Sequence, residues 1–172
     1  MSGLIHLYCG DGKGKTTAAL GLALRAAGAG KQVVFTQFFK DGSSSEIEPL
    51  AALPGVRVFH ADTVRGFYRN MTPPQREQAG KDYTALFRQV TQAAQEADLL
   101  ILDEIVSACN RCVVPEKLVT DFLREKPARL EVVLTGRNPS AALLELADYI
   151  TEMRKLRHPF DRGIGARKGI EF

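Results

Sequence analysis

The residues Gly10-Asp11-Gly12-Lys13-Gly14-Lys15-Thr16-Thr17 form the stretch of this chain best suited to chemistry, and the chemistry they suit is phosphate binding. Glycines let consecutive backbone N–H groups turn inward and approach phosphate oxygens. A helix that begins at such a loop adds the partial positive charge of its N-terminus. Lys15 supplies a full cation, and the Thr16 hydroxyl suits a Mg²⁺ ion. The usual spacing is G-x-x-x-x-G-K-[ST] after a strand and before a helix. Counting back from Gly14, the first glycine of that pattern falls at Cys9, but the glycine here is Gly10. The loop is one residue short, so phosphates are expected to be held differently from those in a standard ATPase.

A second acidic element complements the loop. Leu99-Leu100-Ile101-Leu102 is wholly apolar and ends in Asp103-Glu104. Such a strand carries a carboxylate to its tip, within reach of a Mg²⁺ held by Thr16. An acid at a strand end says little alone; paired with the phosphate loop it says much more. One of the two acids is expected to cap a turn. The metal would neutralise triphosphate charge and improve it as a leaving group. Cys109-Asn110-Arg111-Cys112 is a single C-x-x-C without a second pair or nearby histidines. It reads as two free thiols rather than a zinc site, and Cys9 reads as a small packing residue.

These residues need elements to position them. Leu4–Tyr8 reads as a buried strand running into the loop, and Thr16–Ala27 as an Ala- and Leu-rich helix closed by Gly28 and Gly30. Further strands are expected at Val33–Phe39, Val56–His60, Leu99–Leu102, Leu130–Thr135 and Tyr149–Met153. Helices are expected at Pro73–Ala97, Pro115–Lys126 and Pro139–Ala147. Thr72 is the predicted N-cap of the first of these, with Pro73 and Pro74 in its first turn. Tyr83, Leu86, Phe87 and Val90 recur at helical spacing and predict its core face. Asp41–Ser45 and Thr63–Thr72 read as loops, and the tail from His158 has no assignable structure. Alternation of strands and helices predicts an α/β fold: a mostly parallel sheet with helices on both faces. Ligands in such sheets sit at the carboxyl ends of the strands, where the loop, Asp103 and Glu104 all lie.

The bulk properties narrow the classes. The chain has 172 residues, a length that favours one domain over residues 1–172. Net charge is +3, from 23 basic and 20 acidic residues. That is too small an excess to argue for nucleic acid, though it suits a polyphosphate. No apolar run approaches the roughly 20 residues of a membrane span, and no signal peptide is visible. The three cysteines do not make a disulfide framework, and a reduced cytoplasmic setting is the expectation.

Taken together, the chain resembles the corrinoid adenosyltransferases of the CobA/BtuR type. The likeness runs from Gly10–Ala19, where the family usually has Asn at position 11, through Arg25, Gln37-Phe38, Lys40 and Gly66-Phe67. It continues with Leu102-Asp103-Glu104, Thr135-Gly136-Arg137, Leu146-Ala147-Asp148 and Thr151-Glu152-Met153-Arg154. It ends with His158–Gly163 and Lys168-Gly169-Ile170-Glu171. The short phosphate loop is itself typical of that family.

The resemblance implies a RecA-like P-loop fold, a homodimer, and a reaction. A corrinoid reduced to Co(I) attacks C5′ of ATP and triphosphate leaves. ATP lies reversed relative to ordinary P-loop enzymes, so that C5′ faces the nucleophile. A reduced flavoprotein supplies the electron. Co(I) is already a strong nucleophile, so no side-chain base is needed and no Ser-His-Asp arrangement is missed. The protein has to position two reactants and stabilise the departing charge. Gly10, Asp11, Gly12, Lys13, Gly14, Lys15, Thr16 and Thr17 would hold the nucleotide, and Thr16 and Glu104 would share Mg²⁺. Arg25 and Arg137 read equally as nucleotide contacts or surface ion pairs, and the resemblance favours the nucleotide for Arg137. The tail is implied to help form the active site or the dimer contact.

The chain departs from the family pattern in two places. Members often carry a segment before the first strand that folds over the corrinoid; here the strand begins near Leu4, so no such lid is expected. They also often show Phe-x-Trp after the third strand, where the aromatics displace the lower axial base of cobalt. Here the stretch is Gly66-Phe67-Tyr68-Arg69, in a chain with no tryptophan. Phe67 is retained, as a catalytic aromatic or as ordinary loop packing, and Arg69 stands where tryptophan would. The competing readings are an ATPase or kinase using ATP in the ordinary orientation, a nucleic-acid-binding ATPase, and a cobalamin carrier. No clear acceptor motif, basic aromatic-rich surface or D-x-H-x-x-G motif supports them.

Overall fold

The computed structural model describes residues 2–40, 42–61, 68 and 71–171. Six strands form one sheet: β1 (Ile5–Cys9), β2 (Val33–Gln37), β3 (Val56–Phe59), β4 (Leu99–Asp103), β5 (Glu131–Thr135) and β6 (Tyr149–Glu152). Their order is β3-β2-β4-β5-β1-β6, and every pairing is parallel. Between them run α1 (Lys15–Gly28), α2 (Ile47–Ala51), α3 (Pro73–Ala93), α4 (Ile105–Asn110), α5 (Glu116–Glu125) and α6 (Ala141–Leu146).

The helices cover both faces, as the alternating pattern requires. One face packs Leu7, Val34, Leu100, Leu102, Val132 and Leu134 against Tyr83, Leu86, Phe87 and Val90 of α3, with Val119, Leu123 and Leu143 completing the layer. The expected core face of α3 is therefore the observed one. The other face packs Val33, Phe35, Leu99, Ile101 and Val133 against Ala19, Ala23 and Ala26 of α1 and Leu50 of α2. Alanines along one stripe of α1 let its backbone lie close to the sheet. The chain leaving β1 crosses β5 and β4 through α1 to reach β2. The carboxyl ends of β1, β5 and β4 thus lie side by side, which is where such sheets bind ligands.

Several boundaries differ from expectation for local reasons. β2 stops at Gln37 because Phe39 turns into the left-handed region, at φ 60°. The Phe39 ring is fixed edge-on to Tyr68 and Tyr83, with the Arg111 guanidinium 4.8 Å from its centroid. α3 ends at Ala93 and tightens into a 3₁₀ turn over Ala94–Glu96, since Ala97 must be extended to enter β4. At its other end the Thr72 N–H donates to Gln75 Oε1 at 2.8 Å, half of a capping box. The sequence reading missed α2 and α4, which have 5 and 6 residues. Helices that short carry too little periodicity to read. In the tail, Pro159–Arg162 forms a 3₁₀ turn in which the Phe160 N–H donates to His158 Nδ1.

Candidate active site

The loop between β1 and α1 is shaped by its neighbours as much as by any ligand. Gly12 N–H donates to the Met153 carbonyl at 2.6 Å, and Met153 N–H donates to the Cys9 carbonyl. The chain leaving β6 thus lies directly against the loop. A Cβ on Gly10 or Gly12 would come within 2.6 or 2.5 Å of the Met153 oxygen, so only glycine fits at either position. Gly14, at φ 118°, makes the turn into α1, a conformation that L side chains resist. Gly14 needs glycine for its conformation; at Gly10 and Gly12 the close approach of Met153 is itself sufficient reason.

Lys15 folds back onto this loop. Its Nζ donates to the Gly10 carbonyl at 2.6 Å and to the Gly12 carbonyl at 2.8 Å. The side chain is buried, and burial is the main cause that lowers its pKa from the ordinary lysine value. A cation stripped of water and held by two carbonyls gains when phosphate oxygens replace them.

Thr16 faces across the sheet to β4. Its hydroxyl donates to Asp103, at 2.9 Å from Oδ1 and 3.1 Å from Oδ2. Asp103 is fully buried. It also accepts Thr135 Oγ1 at 2.7 Å and Gln37 Nε2 at 3.3 Å. Burial is the larger influence on its carboxyl and raises the pKa; the Thr135 and Thr16 hydroxyls act in the opposite direction. Thr135 in turn accepts the Glu104 N–H at 2.8 Å. That bond fixes Glu104 in the left-handed conformation, φ 62°, from which α4 starts. Glu104 Oε2 accepts the Ser107 hydroxyl at 2.5 Å. Gly136 leaves room for α4, because a Cβ there would lie 2.7 Å from Val106 Cβ.

A cavity of about 440 Å³ opens over these residues. Lys13, Gly14, Lys15, Thr16, Thr17 and Glu104 line it, together with Lys40, Glu46 and the tail residues Gly169–Glu171. The structure thus brings the loop, Thr16 and Glu104 to one place. Thr16 is hydrogen-bonded to Asp103, however, and Asp103 rather than Glu104 is the closed-off acid that orients it. Asp11 and Arg137 lie beside the loop and approach each other to 3.8 Å (Oδ1 to Nε), both largely exposed. Arg25 does not join them. It lies in the last turn of α1, about 15 Å along the axis from Lys15 at 1.5 Å per residue. There it lines a cavity with Ser2, Asp98 and Glu131 at the amino ends of the strands, away from the phosphate loop. Phe67 lies outside the described residues, as do Gly66 and Arg69.

Sequence reasoning named Thr135, Gln37, Lys40 and Glu171 only as part of the family likeness, with no role at the site, and did not single out Glu46. Register could have found two of them: Gln37 pairs with Asp103, and β5, ending in Thr135, runs between β4 and β1. As to metals, the oxygen donors of Thr16 and Glu104 suit Mg²⁺, which needs one or two carboxylates beside substrate phosphates rather than a full protein cage. Among the described residues no group of three His, Cys, Asp or Glu side chains could hold a metal. Cys109 is buried and Cys112 exposed, both as free thiols.

Known proteins resemble this chain in sequence and in fold. A corrinoid adenosyltransferase of Escherichia coli (strain K12) is 36% identical over 180 residues, covering 99% of this chain and 86% of its own. One of Pseudomonas aeruginosa is 32% identical over 172 residues, covering 99% and 84%. Among solved structures, a KaiC-like protein of Pyrococcus horikoshii superposes with a TM-score of 0.53 at 16% identity, over 89% of this chain and 72% of that one. ATPases 2 and 3 of EssC from Geobacillus thermodenitrificans give 0.55 at 17%, over 97% and 35%. At such identities the likeness concerns the fold alone, and the fold is α/β, RecA-like, with a phosphate loop. The family described as ATP:corrinoid adenosyltransferase BtuR/CobO/CobP matches residues 1–172 from end to end, and this chain belongs to it.

Proposed function

We propose that this protein transfers the 5′-deoxyadenosyl group of ATP to the Co(I) centre of a corrinoid and releases triphosphate, in the making or salvage of adenosylcobalamin. The observation that carries this reading is the family match over residues 1–172. The cavity over the short loop supports it. In the reaction an electron pair on cobalt forms the bond to C5′. The C5′–O bond breaks, and its pair leaves on the triphosphate oxygen.

No residue has to remove a proton. Lys15 exchanges the Gly10 and Gly12 carbonyls for phosphate oxygens, and Lys13 adds a second cation. Asp103 and Thr135 hold Thr16 and Glu104 where they can share Mg²⁺. That ion, when bound, would offset the charge that gathers on triphosphate. Asp11, Gly12, Gly14 and Thr17 complete the nucleotide site with Arg137, and Phe67 is assigned to the corrinoid side. We further propose one domain over residues 1–172, a homodimer, a reduced flavoprotein as electron donor and a cytoplasmic setting. Exposed Tyr149, Ile150, Leu156 and Phe160 on β6 and the tail offer an apolar surface for the dimer. Among the described residues no helix is long and apolar enough to cross a membrane.

The test is anaerobic. Protein, MgATP and chemically reduced cob(I)alamin are mixed, the cobalt–carbon product is followed by absorbance, and triphosphate is assayed. Adenosylated product with stoichiometric triphosphate is expected. ADP and phosphate without cobalt alkylation would make the protein an ordinary P-loop ATPase.

A further inference from the structure

The cavity over the phosphate loop contains more negative charge than the reaction uses. Its cations are Lys13, Lys15 and Lys40, and its carboxylates are Glu46, Glu104 and Glu171. Glu46 accepts Gln37 Nε2 at 2.9 Å and lies 3.5 Å from Lys40, so it helps to build the wall. Glu104 anchors α4 and is assigned to the metal. Glu171 does neither. It sits on the tail, and its partner is Arg167, whose backbone N–H, Nε and Nη2 donate to it at 2.8, 3.2 and 3.0 Å. The Arg167 bonds hold its carboxyl down at about 2, and Lys13 acts in the same direction. Glu171 is thus an ionised carboxylate, paired with Arg167 of its own segment, in the wall of the cavity that Lys13 also lines.

We propose that Glu171 is a built-in competitor of polyphosphate: its carboxylate, in the cavity wall and occupying Arg167, opposes the ligand's charge there and favours release of triphosphate over retention of ATP. This rests on reading the cavity as the polyphosphate site. The asymmetry comes from the reaction. Cleavage of the C5′–O bond turns an ester oxygen into an ionised one, so triphosphate brings more negative charge than the same phosphates brought as ATP. Repulsion by a fixed neighbouring carboxylate therefore grows as substrate becomes product. A charge on a segment outside the core can oppose the product without weakening the sheet.

The experiment is calorimetric titration of the full chain and of Glu171→Gln with magnesium tripolyphosphate and, separately, MgATP, at the same free Mg²⁺. At low salt the variant is expected to bind tripolyphosphate roughly fivefold more tightly, the size of one partly exposed charge interaction. MgATP should tighten by about twofold or less, and both differences should shrink in about 0.5 M salt, where screening is short-ranged. Unchanged or weaker tripolyphosphate binding by the variant would overturn the proposal while leaving the phosphate site standing. Failure of tripolyphosphate to bind either protein would overturn both.

Discussion

Thr135→Val tests the part of the site that lies deepest. The substitution keeps the shape and removes one hydroxyl, which donates to Asp103 Oδ1 at 2.7 Å and accepts the Glu104 N–H at 2.8 Å. The first bond is to a charged group, worth about 1.5–3 kcal/mol, and an abandoned N–H costs about 1–3 kcal/mol. The added methyl returns about 0.8 kcal/mol. The balance is a loss of about 3 kcal/mol. For a protein of this size each kcal/mol lowers the melting temperature by about 2–4 °C, so a fall of about 9 °C is expected. Urea unfolding should show the same loss with an unchanged m-value. Thr135→Ser keeps the hydroxyl, loses one methyl group and should cost about 1 kcal/mol. Activity should follow the hydroxyl: kcat is expected to fall at least about tenfold in the valine variant, since Glu104 loses its anchor, and little in the serine variant. A valine variant within about 1 kcal/mol of wild type, with normal kcat, would refute the view that Thr135 joins the two acids.

Other consequences are more direct. Lys15→Ala should lower turnover by at least about a hundredfold in the cob(I)alamin assay; a rate within about threefold of wild type would remove Lys15 from the phosphate site. Arg25→Ala should leave MgATP affinity within about twofold, because α1 carries Arg25 toward the amino ends of the strands, away from the loop. A tenfold loss by calorimetry would return it to the nucleotide. Of the three cysteines only Cys112 is exposed, and burial pushes the Cys109 thiol up to about 12. A raised thiol pKa keeps the unreactive protonated form through pH 8, so titration with a disulfide reagent should find one fast thiol. Two or three would contradict that burial.

The sequence alone determined the fold class and the location of the candidate site. Strands and helices alternate with the periods that a parallel sheet covered on both faces demands, and Gly10–Thr17 follows the first strand directly. Those signals are local, and local signals survive in a string of letters. The likeness to corrinoid adenosyltransferases was legible for the same reason: its motifs are short runs, and the family match spans them all. What only the tertiary structure decided depends on neighbours distant in sequence. Asp103, rather than Glu104, became the buried acid because it ends β4 between Gln37 and Thr135, each on a different strand. Gly10 and Gly12 are held to glycine by a carbonyl from Met153, beyond β6. The simple length of a helix carries Arg25 away from the loop, and the tail returns to bring Glu171 into the cavity over it. Spacing along the chain records which residues exist and how they alternate. Only packing of the closed sheet records which of them meet.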